Sequence, residues 1–306
     1  MGGDLRICSL LPSSTEILYA LGLDDQVIAV THECDFPPQA LKKPRVTESL
    51  LDHHRLTSAE IDHHVSSNIG RHGSIYRLRD DLLAELKPNL IITQELCDVC
   101  AVSYKDVQRA ARVLEGETRV ISLEPNTLDE VLDTILLVGE LTGRSESAAK
   151  KVRELRDRLA RVRELVRGAS RPRVYCMEWL DPPFSGGHWV PEMVEIAGGQ
   201  EVLGKAGRKS ERIHPEQIIQ AQPEIIVLMP CGFSLERTIE EYHRNDFFAG
   251  WKELPAVVSG QVYAVDGSSY FNRSGPRLVD GVEILASIFH PNRGTNVAYQ
   301  HFKRFP

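Results

Sequence analysis

The sequence predicts an α/β protein: two lobes with mainly parallel sheets covered by helices, joined by one long spine helix, with the ligand cleft between the lobes. Three observations carry this prediction. The stretch from Ser145 to Gly168 sets Ala148, Val152, Leu155, Leu159, Val162 and Val166 at alternating steps of four and three. That spacing is one face of a helix, and the other faces are almost wholly Lys, Arg, Glu and Asp. On each side of this stretch, short apolar runs alternate with helical patterns, as parallel strands joined by crossover helices require. The two sides also echo each other, Leu83-Ala-Glu-Leu-Lys-Pro-Asn-Leu-Ile-Ile against Ile218-Ile-Gln-Ala-Gln-Pro-Glu-Ile-Ile-Val. The expected division is residues 1–143 for the N-terminal lobe, 144–169 for the spine and 170–306 for the C-terminal lobe with its tail.

Along the chain, Leu5 to Leu11 reads as a strand, Pro12-Ser13-Ser14-Thr15 as the loop after it, and Glu16 to Leu21 as a helix stopped by Gly22. Val27 to Thr31 is a strand that runs into His32-Glu33-Cys34-Asp35-Phe36-Pro37-Pro38, a loop by its prolines. Residues 47–77 are polar and rich in histidine, with a helical fragment from Thr57 to Val65. Asp80 to Leu86 is a short helix closed by Lys87-Pro88, and Leu90 to Thr93 a buried strand. Ser103 to Leu114 is a helix, Arg119 to Leu123 a strand, and Leu128 to Leu141 a helix ending at Gly143. The spine follows, with Ser145 as N-cap and Gly168 as stop. It is too short in heptads for a coiled coil.

The same grammar then restarts. Arg173 to Met177 is a strand, Pro182 to Trp189 a loop, Pro191 to Ala197 and Pro215 to Ala221 helices, and Ile225 to Met229 a strand. Ser234 to His243 is helical, Gln261 to Val265 a strand and Leu278 to Phe289 the last helix, before a polar and aromatic tail over 291–306. Ligands of α/β sheets bind at the carboxyl ends of strands. The candidate loops are therefore 12–15, 32–38, 94–100, 179–189 and 266–275.

Composition narrows the function classes. The formal net charge of −7 gives no reason to expect nucleic acid or an anionic membrane as partner. No apolar run approaches the ~18 residues of a membrane span. The first residues, MGGDLRICSLLPSSTE, carry one basic residue and are no secretory signal. The expected location is the cytoplasm, unless an export signal has been removed. The six cysteines do not space as a disulfide framework, which agrees with a reducing compartment.

Four constellations could carry chemistry. Cys97-Asp98-Val99-Cys100 follows a strand, where a helix N-terminus would lower a thiol pKa. With His32 and Cys34 it could instead hold zinc or iron, and it could equally be a plain or ligand-contacting loop. The pairs His53-His54 and His63-His64 read as exposed polar residues, since neighbours on a helix point about 100° apart. In the loop Pro182 to Trp189, Gly186 and Gly187 allow a close backbone approach, and Phe184, His188 and Trp189, with Trp179 upstream, offer flat faces to a ligand. Tyr270, Phe271, Asn272 and Arg273 lie in the loop before the last helix, where Arg273 could pair with a carboxylate or phosphate and Arg277 could pin the loop. No nucleophile elbow, phosphate loop or dinucleotide fingerprint is present, so catalysis is not signalled.

Several segments together resemble the helical-spine periplasmic substrate-binding proteins of ABC importers (cluster A, class III), which take cobalamin or iron chelates, and most of all their cobalamin-binding branch. They are Ser9-Leu-Leu-Pro-Ser-Ser-Thr-Glu-Ile-Leu, Cys34-Asp-Phe-Pro-Pro-Gln-Ala, Leu86-Lys-Pro-Asn-Leu-Ile-Ile, Pro182-Pro-Phe-Ser-Gly-Gly with Gly198-Gly199, and Tyr270-Phe-Asn-Arg-Ser-Gly-Pro-Arg. The resemblance covers nearly the whole chain. By matching position it implies ligand contacts from Pro12, Ser13, Ser14, Asp35, Phe184, Gly187, Tyr270, Phe271 and Arg273. It also implies docking on a permease through Asp81 and Glu216, which could equally be first-turn acids that favour the helix dipole. The chain departs from that pattern in its long histidine-rich segment 47–77 and in Cys97 and Cys100.

The expected function is a non-enzymatic, monomeric binding protein that captures a corrinoid or related metal chelate, needs no cofactor, and serves an ABC permease and ATPase or a cytoplasmic equivalent. The alternative is a cytoplasmic metal- or thiol-dependent enzyme using Cys97, Cys100, His32 and Cys34.

Overall fold

The structure is a computed structural model that describes residues 5–50, 56–72, 76–94, 104–112, 118–294 and 299–306. The chain divides into two compact units. The N-terminal unit holds Met1–Leu56, Glu60–Glu124 and Asp133–Val152; the C-terminal unit holds Thr57–Ala59, Pro125–Leu132 and Arg153–Pro306.

The N-terminal unit is built on strands β1 (Ile7–Ser9), β2 (Val27–Val30), β5 (Leu90–Thr93) and β6 (Arg119–Ser122), in the order β2-β1-β5-β6. All neighbours in this sheet are parallel. Helices α1 (Pro12–Ala20), α3 (Asp80–Leu86), α4 (Tyr104–Arg112) and α5 (Leu128–Leu141) alternate with its strands, α5 straddling the boundary between the units. All four residues of β5 are buried, as a central parallel strand covered on both faces must be. The histidine-rich segment carries a separate two-stranded sheet. Strand β3 (Thr47–Ser49) pairs antiparallel with β4 (Tyr76–Leu78), and α2 (Ser58–His72) lies between them in sequence.

The C-terminal unit carries β7 (Arg173–Trp179), β8 (Phe184–Ser185), β9 (Gln200–Glu201), β10 (Ile225–Leu228), β11 (Val262–Val265) and β12 (Phe302–Phe305) in the order β12-β11-β10-β7-β8, with β9 also on β7. Its helices are α7 (Val190–Ile196), α8 (Pro215–Ala221), α9 (Leu235–Arg244), α10 (Pro255–Val258), α11 (Gly267–Tyr270) and α12 (Leu278–Phe289). The sheet is parallel along β9-β7-β10-β11, with β8 and β12 antiparallel. The tail is thus part of the sheet: Val262 faces Phe305. Its aromatic residues hide that strand in a sequence reading, but Phe305 stacks on Tyr242 at 3.7 Å and is buried.

The internal echo is exact in backbone terms. Helices α3 and α8 both have seven residues. They end on Lys87 (φ 42°) and Gln222 (φ 44°), left-handed non-glycine caps whose N–H groups bond back to Leu83 and Ile218. A proline follows each cap, and then the central strand of each sheet.

Between the sheets in sequence runs α6 (Ser145–Leu165), a rod of roughly 32 Å. Its residues up to Val152 belong to the N-terminal unit and those from Arg153 to the C-terminal unit. The apolar stripe is buried throughout, from Ala148 at 0% to Val166 at 9% exposure. In the N-terminal unit Ala148 lies against Gly139 of α5, where an added Cβ would fall 2.4 Å from the Ala148 Cβ. In the C-terminal unit Val166 lies against Gly198, and Arg158 pairs with Asp280 and Glu283 of α12, at 2.7 Å to Glu283. No helix among the described residues is long and apolar enough to cross a membrane.

Candidate functional site

In the N-terminal unit, Pro12-Ser13-Ser14 is the first turn of α1 rather than a loop, because Pro12 takes the first helical position. The side chains turn inward. Ser14 Oγ donates to the Leu11 carbonyl at 3.0 Å and lies 2.6 Å from Ser9 Oγ, and Ser13 and Ser14 are both buried. Ser14 therefore belongs to a hydroxyl cluster that fixes α1 on β1. Asp35 and Phe36 are exposed in the loop after β2.

The metal reading of this region finds no support. Cys34 is fully buried, with its sulfur 3.1 Å from Thr15 Oγ1, while His32 Nδ1 bonds Thr47 Oγ1 at 2.7 Å and its Nε2 faces Glu33 at 3.2 Å. Among the described residues no three His, Cys, Asp or Glu side chains are grouped to hold a metal ion. Cys97, Cys100, His53 and His54 lie outside the described residues. Burial pushes the thiols of Cys8 and Cys176 well above the usual range.

In the C-terminal unit the candidate loops meet at the carboxyl edge of the parallel sheet. Trp179 ends β7 and is half-buried; its indole N–H donates to the Ser58 carbonyl at 3.1 Å, and its ring lies 5.4 Å from Phe233. Phe184, also half-buried, opens β8 opposite Trp179. Both stand in strand structure, which a loop assignment over 179–189 overlooks.

Gly186 and Gly187 do admit a close approach, but to the chain itself: a Cβ on Gly187 would lie 2.3 Å from the Ser210 nitrogen. Segment 205–213 runs alongside 183–188 as a seam. Ser185 donates its N–H to Glu211 O at 2.9 Å, His188 to Arg208 O at 2.5 Å, and Ile213 to Pro183 O at 2.8 Å. Beneath the seam Glu178 accepts the Gly187 N–H at 3.0 Å and a hydrogen bond from Ser210. Burial pushes the Glu178 carboxyl up to about 7, with Glu201's charge adding to it. Burial, then the charge of Lys209, lowers the pKa of the His188 imidazole.

Trp189 joins this loop to the next. It is buried, and its indole N–H donates to the Phe271 carbonyl at 2.7 Å. Phe271 is fully buried, so this bond anchors the two loops to each other. Tyr270 and Arg273 remain half-buried at the rim. Arg277 sits 5.6 Å over the Tyr270 ring, and Arg273 donates to Ser268 Oγ at 3.0 Å. Asp266 caps α11 through the Ser269 N–H at 2.7 Å; burial raises its carboxyl against that bond and the charges of Arg273 and Arg277.

Asp81 and Glu216 are exposed, one in each unit. Each is the second residue of its seven-residue helix and stands six positions before the left-handed cap. A cleft of about 770 Å³ along α6, lined by Leu159, Arg163, Glu192 and Ile196, contains none of the candidate ligand, metal or docking residues.

The sequence matches the periplasmic binding protein family over residues 7–268. The chain belongs to that family. This family member is 28% identical over 282 residues to a vitamin B12-binding protein of Vibrio cholerae, covering 91% of this chain and 86% of the relative. It is 26% identical over 294 residues to an uncharacterized ABC transporter substrate-binding lipoprotein of Bacillus subtilis, covering 94% and 80%. Among solved structures, the periplasmic vitamin B12 binding protein of Vibrio cholerae superposes with TM-score 0.67 at 25% identity, covering 94% of this chain and 98% of that one. A periplasmic heme-binding protein of Pseudomonas aeruginosa gives TM-score 0.74 at 15% identity, covering 98% of each, a likeness of fold. The relatives are binding proteins rather than enzymes. They are also periplasmic or lipoproteins, and this overturns the expectation of a cytoplasmic protein.

Proposed function

We propose that this binding protein captures a corrinoid, cobalamin-like, or a related metal chelate and delivers it to an ABC permease and its ATPase. The observation that carries this reading is the set of half-buried aromatic and polar side chains at the carboxyl edge of the C-terminal sheet: Trp179, Phe184, His188, Tyr270 and Arg273. Flat faces with a few placed polar groups suit a large macrocycle. A relative aligned over 91% of the chain is a vitamin B12-binding protein, which supports the same reading. In the N-terminal unit the proposed ligand contact is Asp35, which is exposed in the loop after β2. No cofactor takes part, and the ligand is cargo. Asp81 and Glu216 are the docking acids of this reading, supported by their equal register on two equivalent helices.

The test is a titration of the purified protein with cyanocobalamin and with hemin, read by the visible spectrum and by heat. Saturable binding of one of them is expected. No change with either, up to high micromolar concentration, would remove the chelate class and leave the family membership untouched.

A further inference from the structure

We propose that the loop 205–212 is a cationic subsite for the peripheral carboxylate groups of the bound chelate. The inference rests on the reading of the 182–189 loop as ligand-facing. The loop reads Lys205-Ala-Gly-Arg-Lys-Ser-Glu-Arg212, four cations to one acid in a chain of net charge −7. Lys205, Arg208, Lys209 and Arg212 are all exposed.

Some arginines of this unit pair with carboxylates, as Arg158 does with Asp280 and Glu283, and Arg237 with Glu241 at 3.0 Å. Lys205, Arg208 and Arg212 have no ion-pair partner among the described residues. Gathering like charges within a Debye length of about 10 Å costs folding free energy. An anionic ligand would offset that cost at Lys205, Arg208 and Arg212.

The loop is also held in place. The seam of hydrogen bonds to 183–188 fixes its backbone, with Gly207 donating to His188 O at 2.9 Å and Glu211 to Ser185 Oγ at 3.2 Å. Glu178 ties both strands of the seam from below, through Gly187 and Ser210. Arg212 pairs across to Phe184, and Lys209 lies near enough to His188 to act on its charge. The cations are thus displayed beside the aromatic residues that would take the flat face of a macrocycle. Guanidinium groups match carboxylate and phosphate geometry two bonds at a time. The ligand class that satisfies both features is a metal chelate with acidic groups at its edge.

The experiment uses the full chain and two corrinoids of one outline: cyanocobalamin, and its monocarboxylate, in which one peripheral amide is a carboxylate. Hemin is the third probe. Each is titrated calorimetrically into the wild type and into the variant Lys205→Gln/Arg208→Gln/Arg212→Gln, with thermal melting as the folding control. At low salt the wild type should prefer the monocarboxylate by about fivefold, the worth of one exposed charge pair. The triple variant should lose that preference and keep its cyanocobalamin affinity within about twofold. Equal affinities in the wild type, or a preference that survives the triple substitution, would overturn the subsite and leave the chelate reading standing. No heat with any of the three probes would remove the chelate reading, and the subsite with it. Capture by phosphatidylglycerol vesicles that the triple variant loses, with corrinoid affinities unchanged, would assign the loop to a lipid surface and also overturn the proposal.

Discussion

Glu178→Gln isolates the energetic role of the acid beneath the candidate ligand loop. The carboxyl titrates at about 7 in the folded chain against 4.5 for an ordinary glutamate. Below the unfolded value both states hold the proton, and the protonated group contributes its full stability. As the pH rises toward 7 the unfolded chain releases the proton and the folded chain does not, so stability falls, and the loss is complete above about 7. Each pKa step of one is worth about 1.4 kcal/mol, so the span corresponds to a loss on the order of 3 kcal/mol between pH 4 and pH 8. Glutamine keeps an acceptor for the Gly187 N–H and cannot ionise. The variant should therefore match the wild type near pH 4 and exceed its stability at pH 8. Urea unfolding followed by circular dichroism across this range measures both curves. The charge of Glu201 adds to the rise at Glu178, so removing the Glu178 charge also relieves that repulsion, in the same direction. Parallel curves, or a variant less stable than the wild type at pH 8, would refute the reasoning.

Two further substitutions test the packing that supports the site. Gly139→Ala would ordinarily gain about 1 kcal/mol of helix propensity. Here the new methyl would meet the Ala148 Cβ at 2.4 Å and the Arg144 carbonyl at 3.1 Å, so a net loss of about 1–3 kcal/mol in chemical unfolding is expected, and a stabilised variant would contradict the close approach of α5 and α6. Trp189→Phe keeps an aromatic ring but removes the indole N–H from the Phe271 carbonyl, so unfolding should become easier by about 1–3 kcal/mol, with limited proteolysis first cutting 182–189 or 266–275; an unchanged urea midpoint would show that this bond does not join the loops.

The fold was largely legible because its signals are periodic. The spine stripe, the alternation of strands and helices, and the repeated proline after a helix end are all local patterns, and α3, β5, α5, α8 and α12 fall where the residues place them. The tail strand β12 was not legible, since Phe-Lys-Arg-Phe gains its strand character only from pairing with β11. Pro and Ser signal both turns and first helical turns, so the start of α1 looks like a loop in the sequence.

The site was legible in outline only. Aromatic residues in loop-like sequence could not be sorted into rim and anchor: Tyr270 stays half-buried while its neighbour Phe271 is fully enclosed. Gly187 was visible as a point of close approach, but its neighbour, Ser210, is far off in sequence. Glu178 and the cations of 205–212 carried no motif at all, and only the seam between 183–188 and 205–213 brings them to the candidate loop.

The most direct test of the account is calorimetric titration of the wild type with cyanocobalamin beside the Tyr270→Ala variant, whose altered residue is half-buried at the loop rim. The account predicts saturable one-to-one heat with the wild type and an affinity loss of about tenfold or more in the variant, the worth of one stacked aromatic contact. A wild type that binds neither cyanocobalamin nor hemin, or a variant that binds as the wild type does, would contradict it.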